Sequence, residues 1–360
     1  MISALAGGGP WSRVELWKLA PQGFDALPLD VVAGRRPPSA GTKTITRDPR
    51  HDERSQTDTA PAPSAGALRP TWVKPALLIA ILIEFGFLFA LRWPPVISTG
   101  FAVETAPDHV SDAEGVFETR FVNQLDLPYA HSSALVALDG GRVRAFWVGG
   151  SRESAPDVKI YSAVFEPDQG AWTNERVIIT RETVRRQLAR HVIALGNPAT
   201  MRDETGRIFL WFVSVSAGGW SGSAINLTTS DDDGVTWSPV RRLITSPHFN
   251  LSTLVKAPPF RFEDGAIGLP VYHEHLGIFG ELLRLDPEGN LVHKQRLSHG
   301  RSLLQPLIVP RSRDEATAFF RPRRSAPRRV HAVSTSDGGA HWTRPMPLPI
   351  PNPGGPSAGT

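Results

Sequence analysis

The stretch Thr229-Ser230-Asp231-Asp232-Asp233-Gly234-Val235-Thr236-Trp237 constrains this chain more than any other. It predicts a tight hairpin turn in which the Asp232 carboxylate folds back onto backbone N–H groups. Gly234 supplies the positive φ such a turn needs. Trp237 opens the outgoing strand and lies over the loop as an apolar lid. The same spacing recurs at Thr335-Ser336-Asp337-Gly338-Gly339-Ala340-His341-Trp342, with Thr for Ser and His for Thr. Two degraded copies are Asp168-Gln169-Gly170-Ala171-Trp172 and Asp286-Pro287-Glu288-Gly289. The glycines at 170, 234, 289 and 339 stand about 50–65 residues apart, the length of a four-stranded propeller blade with long loops.

Composition agrees with a turn-rich globular chain. Of 360 residues, 32 are Gly and 33 Pro, which suits short strands more than helices. The chain has no cysteine, so disulfides and thiolate metal sites are excluded. A net charge of +4 at this size gives no ground for a nucleic-acid partner. Phosphate-binding loops, Gly-x-Ser-x-Gly elbows and zinc signatures are missing, so no cofactor or metal is expected.

Along the chain, residues 1–72 are rich in Ala, Gly, Pro, Ser and Arg without sustained period, and disorder is expected there. Ala76–Leu91 is an apolar run of about 16 residues, against a spanning length of roughly 17–25. Glu84 near its centre costs about 2–3 kcal/mol on insertion scales. The run with its flanks, 74–93, reads as one transmembrane helix or signal anchor. A buried helix of the soluble domain and a cleaved signal peptide are the alternatives. Lys/Arg placement orients such a protein with a cytoplasmic N-terminus and an exported, periplasmic C-terminal domain. Beyond Val122 the pattern turns to strands, among them 143–148, 158–164 and 208–213, with one short helix over 182–195. Residues 122–360 are therefore all-β.

The spacing Ser-x-Asp-x-Gly-x-Thr-Trp is that of the Asp-box. Further landmarks are His131-Ser132, Gly149-Gly150-Ser151-Arg152-Glu153, Pro156-Asp157-Val158, Gly196-Asn197-Pro198, Leu269 to Glu274, Gln305-Pro306, Phe320-Arg321 and Pro351-Asn352-Pro353. Across 128–353 their order resembles the bacterial BNR-repeat, sialidase-like family, whose fold is typically a six-bladed β-propeller. At about 55 residues per blade, the region holds about four blades, and a C-terminally incomplete propeller is expected.

That resemblance implies a glycoside hydrolase with an Asp acid/base, a Tyr–Glu pair and arginines for a substrate carboxylate. Asp157 stands where the family's aspartate is expected, or is an Asx turn residue. Arg152 and Glu153 line the mouth or form a solvated loop pair. Arg321 resembles a carboxylate-binding arginine. Tyr272 and Glu274 share one face of a strand, either as a sugar-binding pair or as core and surface residues. His273 and His275 give a weak metal signal. Asn197, Lys256, His131 and Gln305 are further substrate-binding candidates. Two departures stand out. The family's Arg-Ile-Pro is replaced by Tyr129-Ala130-His131-Ser132-Ser133, and the three tyrosines, 129, 161 and 272, leave none in the C-terminal third. Three functions follow, namely a membrane-anchored glycosidase on acidic glycans, a non-catalytic carbohydrate-binding propeller, and a protein-interaction platform of the envelope.

Overall fold

The computed structural model describes residues 2–6, 14–18, 72–90, 100–103, 119–246, 252–274, 277–298, 300, 302–323, 328–352 and 354–357. Strands β1 (Ile2–Ala6) and β2 (Val14–Lys18) pair antiparallel, with Ile2 opposite Lys18. The rest of the segment expected to be disordered, residues 1, 7–13 and 19–71, lies outside the described residues.

Gly23–Pro94 forms a unit of its own and carries helix α1 (Val73–Ala90). The expected transmembrane anchor at 74–93 is corrected here. Among the described residues no helix is long and apolar enough to cross a membrane. The 18 residues of α1 reach about 27 Å at 1.5 Å per residue, short of the roughly 30 Å hydrocarbon layer. Glu84 breaks the apolar run within that length. The single-pass, exported localisation falls with the anchor.

In the other unit, β3 (Thr119–Phe121) pairs with β2, and four antiparallel sheets follow in chain order. The first runs β4 (Tyr129–Ala137), β5 (Val143–Gly150), β6 (Lys159–Glu166), β7 (Ala171–Ile179). Helix α2 (Arg181–Leu188) leads to the second sheet of β8 (Ala194–Arg202), β9 (Ile208–Ser216), β10 (Gly219–Ser230) and β11 (Arg241–Arg242). The third holds β12 (Thr253–Val255), β13 (Phe260–Arg261), β14 (Ile267–His273), β15 (Phe279–Leu285) and β16 (Leu291–Arg296). The fourth holds β17 (Leu303–Pro310), β18 (Ala316–Pro322), β19 (Arg329–Thr335) and β20 (Met346–Pro351). The described residues thus build four blades, the number the hairpin spacing implies, rather than the six of the family type. The helix expected over 182–195 is shorter. Thr180 caps its start by accepting from the Thr183 N–H, and Ala189 ends it in the left-handed region at φ 50°. Residues from Ala194 are needed as strand β8.

The central strands of the second and third blades are buried on both faces, which explains their near-continuous apolar runs. On β9, Ile208, Leu210 and Phe212 pack with Phe146, Val148, Ile160 and Val164 of the first blade. The alternate residues Phe209, Trp211 and Val213 pack with Ile267, Leu269, Val271 and Leu283 of the third. The period of two sends successive side chains to opposite neighbours. Phe320, Ala318 and Leu303 close the third interface against Phe262 and Leu282.

Every blade carries one predicted hairpin, always between its last two strands. In the complete copy, Asp232 Oδ1 accepts from the Thr236 N–H (2.8 Å) and its Oδ2 from the Thr236 hydroxyl (2.6 Å). The Ser230 hydroxyl donates to Asp232 (2.7 Å) and accepts from the Gly234 N–H (2.8 Å). Asp337 repeats this wiring with the His341 N–H (2.9 Å), the His341 ring (2.7 Å) and the Thr335 hydroxyl (2.8 Å). Asp286 keeps half of it, accepting from the Asn290 N–H (2.7 Å) and side-chain amide (2.9 Å).

Candidate functional site

At one end of the sheets the inner strands of the first, second and fourth blades are distorted in the same way. The ladder slips between His131 and Ala134 in β4, between Gly196 and Ala199 in β8, and between Leu304 and Leu307 in β17. In each slip one non-glycine residue takes a positive φ: Ser132 (54°), Asn197 (46°) and Gln305 (50°). Ser252 (63°) does so just before β12. Such bulges re-aim a side chain, at a cost of about 1–3 kcal/mol each for the left-handed backbone. The proline after Asn197 and after Gln305 suits the gap, because it has no N–H for the ladder. The third inner strand is broken outright by Lys256-Ala257-Pro258-Pro259 between β12 and β13.

These distortions aim polar side chains into one cavity of about 490 Å³. Its lining includes His131, Glu153, Asn197, Lys256, Tyr272, Glu274, Gln305 and Arg321. Eight expected site residues thus come together from all four blades. The chain also brings Gly354, Gly355 and Pro356 to its edge.

Hydrogen bonds join the floor. Lys256 Nζ donates to Ser132 Oγ (2.5 Å), and the Ser132 hydroxyl donates to Asn197 Oδ1 (3.2 Å). Asn197 Nδ2 and Gln305 Nε2 donate to the Tyr272 hydroxyl (3.2 and 3.5 Å). Arg321 Nη1 donates to Gln305 Oε1 (3.2 Å). The Glu274 N–H is fixed by the Ser252 hydroxyl oxygen (2.9 Å).

The cavity wall carries two cations, Lys256 and Arg321, and two carboxylates, Glu153 and Glu274. Neither Lys256 nor Arg321 forms an ion pair among the described residues, and Arg321 Nε is buried without a hydrogen-bond partner. Burial, with Arg321 nearby, pushes the Lys256 ammonium down to about 8, although Glu153 acts in the opposite sense. Burial and then Lys256 push His131 down to about 4, so it is neutral at pH 7. Burial raises the Glu274 carboxyl above its ordinary range, against the pull of Arg321 and Arg323. Burial also raises Tyr272 and Tyr129, with Glu153 adding to the effect on Tyr129.

Two expected residues stand elsewhere. Asp157 is exposed and accepts from the Ser151 N–H (2.9 Å) and hydroxyl (2.8 Å), which closes the loop between β5 and β6 across six residues rather than forming an Asx turn. Those bonds, the hydroxyl first, hold its carboxyl below the ordinary range, opposite to what a general acid near neutral pH needs. Arg152 is exposed and absent from the cavity lining. His273 turns away and pairs with Glu281 (2.6 Å), while His275 lies outside the described residues. Among the described residues no group of His, Asp and Glu is arranged to hold a metal.

Ser132, Tyr129 and Trp220 line the cavity without having been expected there. For Ser132 the signal was the pattern of a polar residue at each inner-strand bulge. Trp220 leans over Gly196, where a Cβ would come within 2.7 Å of its Cη2, and the sequence holds no sign of this.

Comparison with known proteins agrees with this architecture. The family model described as "BNR repeat-like domain" matches residues 141–359. A protein of unknown function from Dyadobacter fermentans has a similar structure, with TM-score 0.50 and 14% identity, over 62% of this chain and 70% of that one. The Hadza microbial sialidase Hz136 is similar at TM-score 0.50 and 17% identity, over 61% of this chain. This chain spans 47% of that sialidase's length. No curated protein matches the sequence. With its box-bearing blades and a family match over more than half its length, the chain belongs to the BNR repeat-like domain family and has a sialidase-like fold.

Proposed function

We propose that this protein is a glycoside hydrolase acting on glycans that carry an acidic group. The observation that carries this reading is Arg321, whose Nε is buried, unpartnered and part of the cavity wall. A guanidinium fork is the best side-chain match to a carboxylate or sulfate. Lys256 adds to the positive potential beside it. Glu274 serves as the acid/base, because burial raises its carboxyl toward the range in which a general acid works. Glu153 at the mouth is the second carboxylate that glycoside hydrolysis ordinarily requires. Tyr272, held by Asn197 and Gln305, lies on the same face as Glu274 and positions the sugar against it. Trp220 offers a flat apolar surface for a sugar ring. Support also comes from the fold shared with a protein named as a sialidase.

A panel of fluorogenic glycosides, with and without a carboxylate, tests the reading. Turnover confined to acidic members and abolished by Glu274→Gln is the expected result. The engagement of Asp157 by Ser151 favours one other reading, a propeller that binds glycans without cleaving them. Saturable binding of acidic glycans with no turnover of any would select it.

A further inference from the structure

Besides the charge that Lys256 lends to the cavity, it stands against Ser132 in a pairing that glycoside hydrolysis does not require. Lys256 Nζ lies 2.5 Å from Ser132 Oγ, and Asn197 Oδ1 takes the other hydrogen bond of that hydroxyl at 3.2 Å. The left-handed backbone of Ser132 lifts Oγ out of the strand ladder and into the cavity wall. No carboxylate pairs with Lys256 among the described residues. A serine becomes a nucleophile when a base sits within hydrogen-bond reach and a third group orients the pair. Such constellations are recognised by geometry, and lysine serves as the base in some of them.

We propose that Ser132 and Lys256 form a nucleophile–base dyad that hydrolyses O-acyl esters, a second activity of this cavity. Ser132 Oγ attacks the acyl carbon while its proton passes to the neutral amine of Lys256. The bond from the acyl carbon to the alcohol oxygen breaks, and the leaving alkoxide takes the proton back from Lys256. Water then attacks the acyl-serine with Lys256 again as base, releasing a carboxylic acid and restoring the hydroxyl. No electrons are transferred, and water is the only co-reactant. Asn197 acts as a positioning residue for the Ser132 hydroxyl. The inference rests on the sugar-pocket reading only for the alcohol part of the ester, which would be a sugar hydroxyl.

Burial and Arg321 support the base, since an amine held near 8 is roughly one-tenth neutral at pH 7. The groups facing it are His131 from β4, Glu153 from the loop after β5, Glu274 after β14 and Arg321 from β18.

The test uses the full chain, a fluorophosphonate probe and p-nitrophenyl acetate, with no glycan present. Glycosidase failure and dyad failure are therefore read separately. The expected result is one covalent adduct on Ser132, with ester hydrolysis rising to a plateau above about pH 8. Ser132→Ala should give neither. Lys256→Arg, a cation that does not deprotonate, should cut both rates on the order of 100-fold while circular dichroism stays native. An unlabelled Ser132 in the folded protein overturns the proposal, and so does hydrolysis that survives Ser132→Ala. If Lys256→Arg does not fold, the adduct and the wild-type pH profile decide by themselves. A profile flat from pH 6 to pH 10 would count against the dyad.

Discussion

Arg176, on the outer strand of the first blade, donates from Nη2 to the carbonyl oxygen of Gly234 in the second blade's Asp-box at 2.6 Å. It also reaches the Val235 carbonyl (2.9 Å). The next outer strand repeats the arrangement, with Arg241 donating to Asn290 Oδ1 (2.9 Å) and to the Glu288 carbonyl of the third blade's degraded box. Gln295 donates to the Ala340 carbonyl (2.8 Å) of the fourth. In the second, third and fourth blades the box is thus a knot within its own blade and a clasp for the blade before it.

Replacing Arg176 by Ala should therefore loosen an interface and leave the cavity intact. We expect a loss of about 1 kcal/mol, because the site is partly exposed and the bonds exchange with water. Urea denaturation measures this, and ligand binding should not change.

The boxes also make stability depend on acid. The carboxyls of Asp232 and Asp337 are held down to about 2, Asp232 chiefly by the Thr236 hydroxyl and backbone, Asp337, against partial desolvation, by the His341 backbone and ring. A depressed folded-state value contributes stability above the ordinary carboxyl value near 4, and that stability is lost as pH falls toward 2. The melting temperature of the wild type should drop across that window. The Asp232→Asn, Asp337→Asn double variant should be less stable at pH 7 and show a flatter profile there.

How much of this is legible in the sequence depends on range. The hairpins are local, since Asp232, Gly234 and Thr236 are within four residues of their partners, and so blade number and order follow from spacing. Asn197, Tyr272, Glu274 and Arg321 were marked by their landmarks. Ser132 belongs to the His131-Ser132 landmark, but neither its place in the cavity nor that of Trp220 is legible, because a register slip and the lean of an indole over Gly196 arise only when strands distant in sequence are paired. Asp157 shows the converse case: a carboxylate at an expected position whose local hydroxyl, that of Ser151, takes it to close a loop. Residues 189–195 were placed in a helix on local pattern, and sheet pairing of Ala194 with Val215 overrides it.

Gly196→Ala tests the indole wall. The new methyl would meet Trp220 at 2.7 Å and push the ring out of the cavity. Ligand affinity should weaken about fivefold, the equivalent of roughly 1 kcal/mol of aromatic contact. Isothermal titration and the shift in tryptophan emission measure the two halves of the prediction.

Lys256 should give binding and stability opposite responses to pH. Its folded value near 8 lies below the ordinary 10.5, so the unfolded chain holds more protons between these values and stability rises with pH across them. Affinity for an anionic ligand should instead fall above about pH 8, as the charge is lost. Lys256→Met should remove both trends, read by chemical denaturation and titration at pH 6, 8 and 10.

The most direct measurement compares one glycoside carrying a carboxylate with its neutral counterpart, as kcat/KM for wild type, Arg321→Ala and Glu274→Gln. The account predicts that wild type prefers the acidic glycoside, that Arg321→Ala erases the preference mainly through KM, and that Glu274→Gln lowers kcat by on the order of 100-fold or more. Equal rates on both glycosides in wild type and Arg321→Ala, or a Glu274→Gln variant with unchanged kcat, would contradict it.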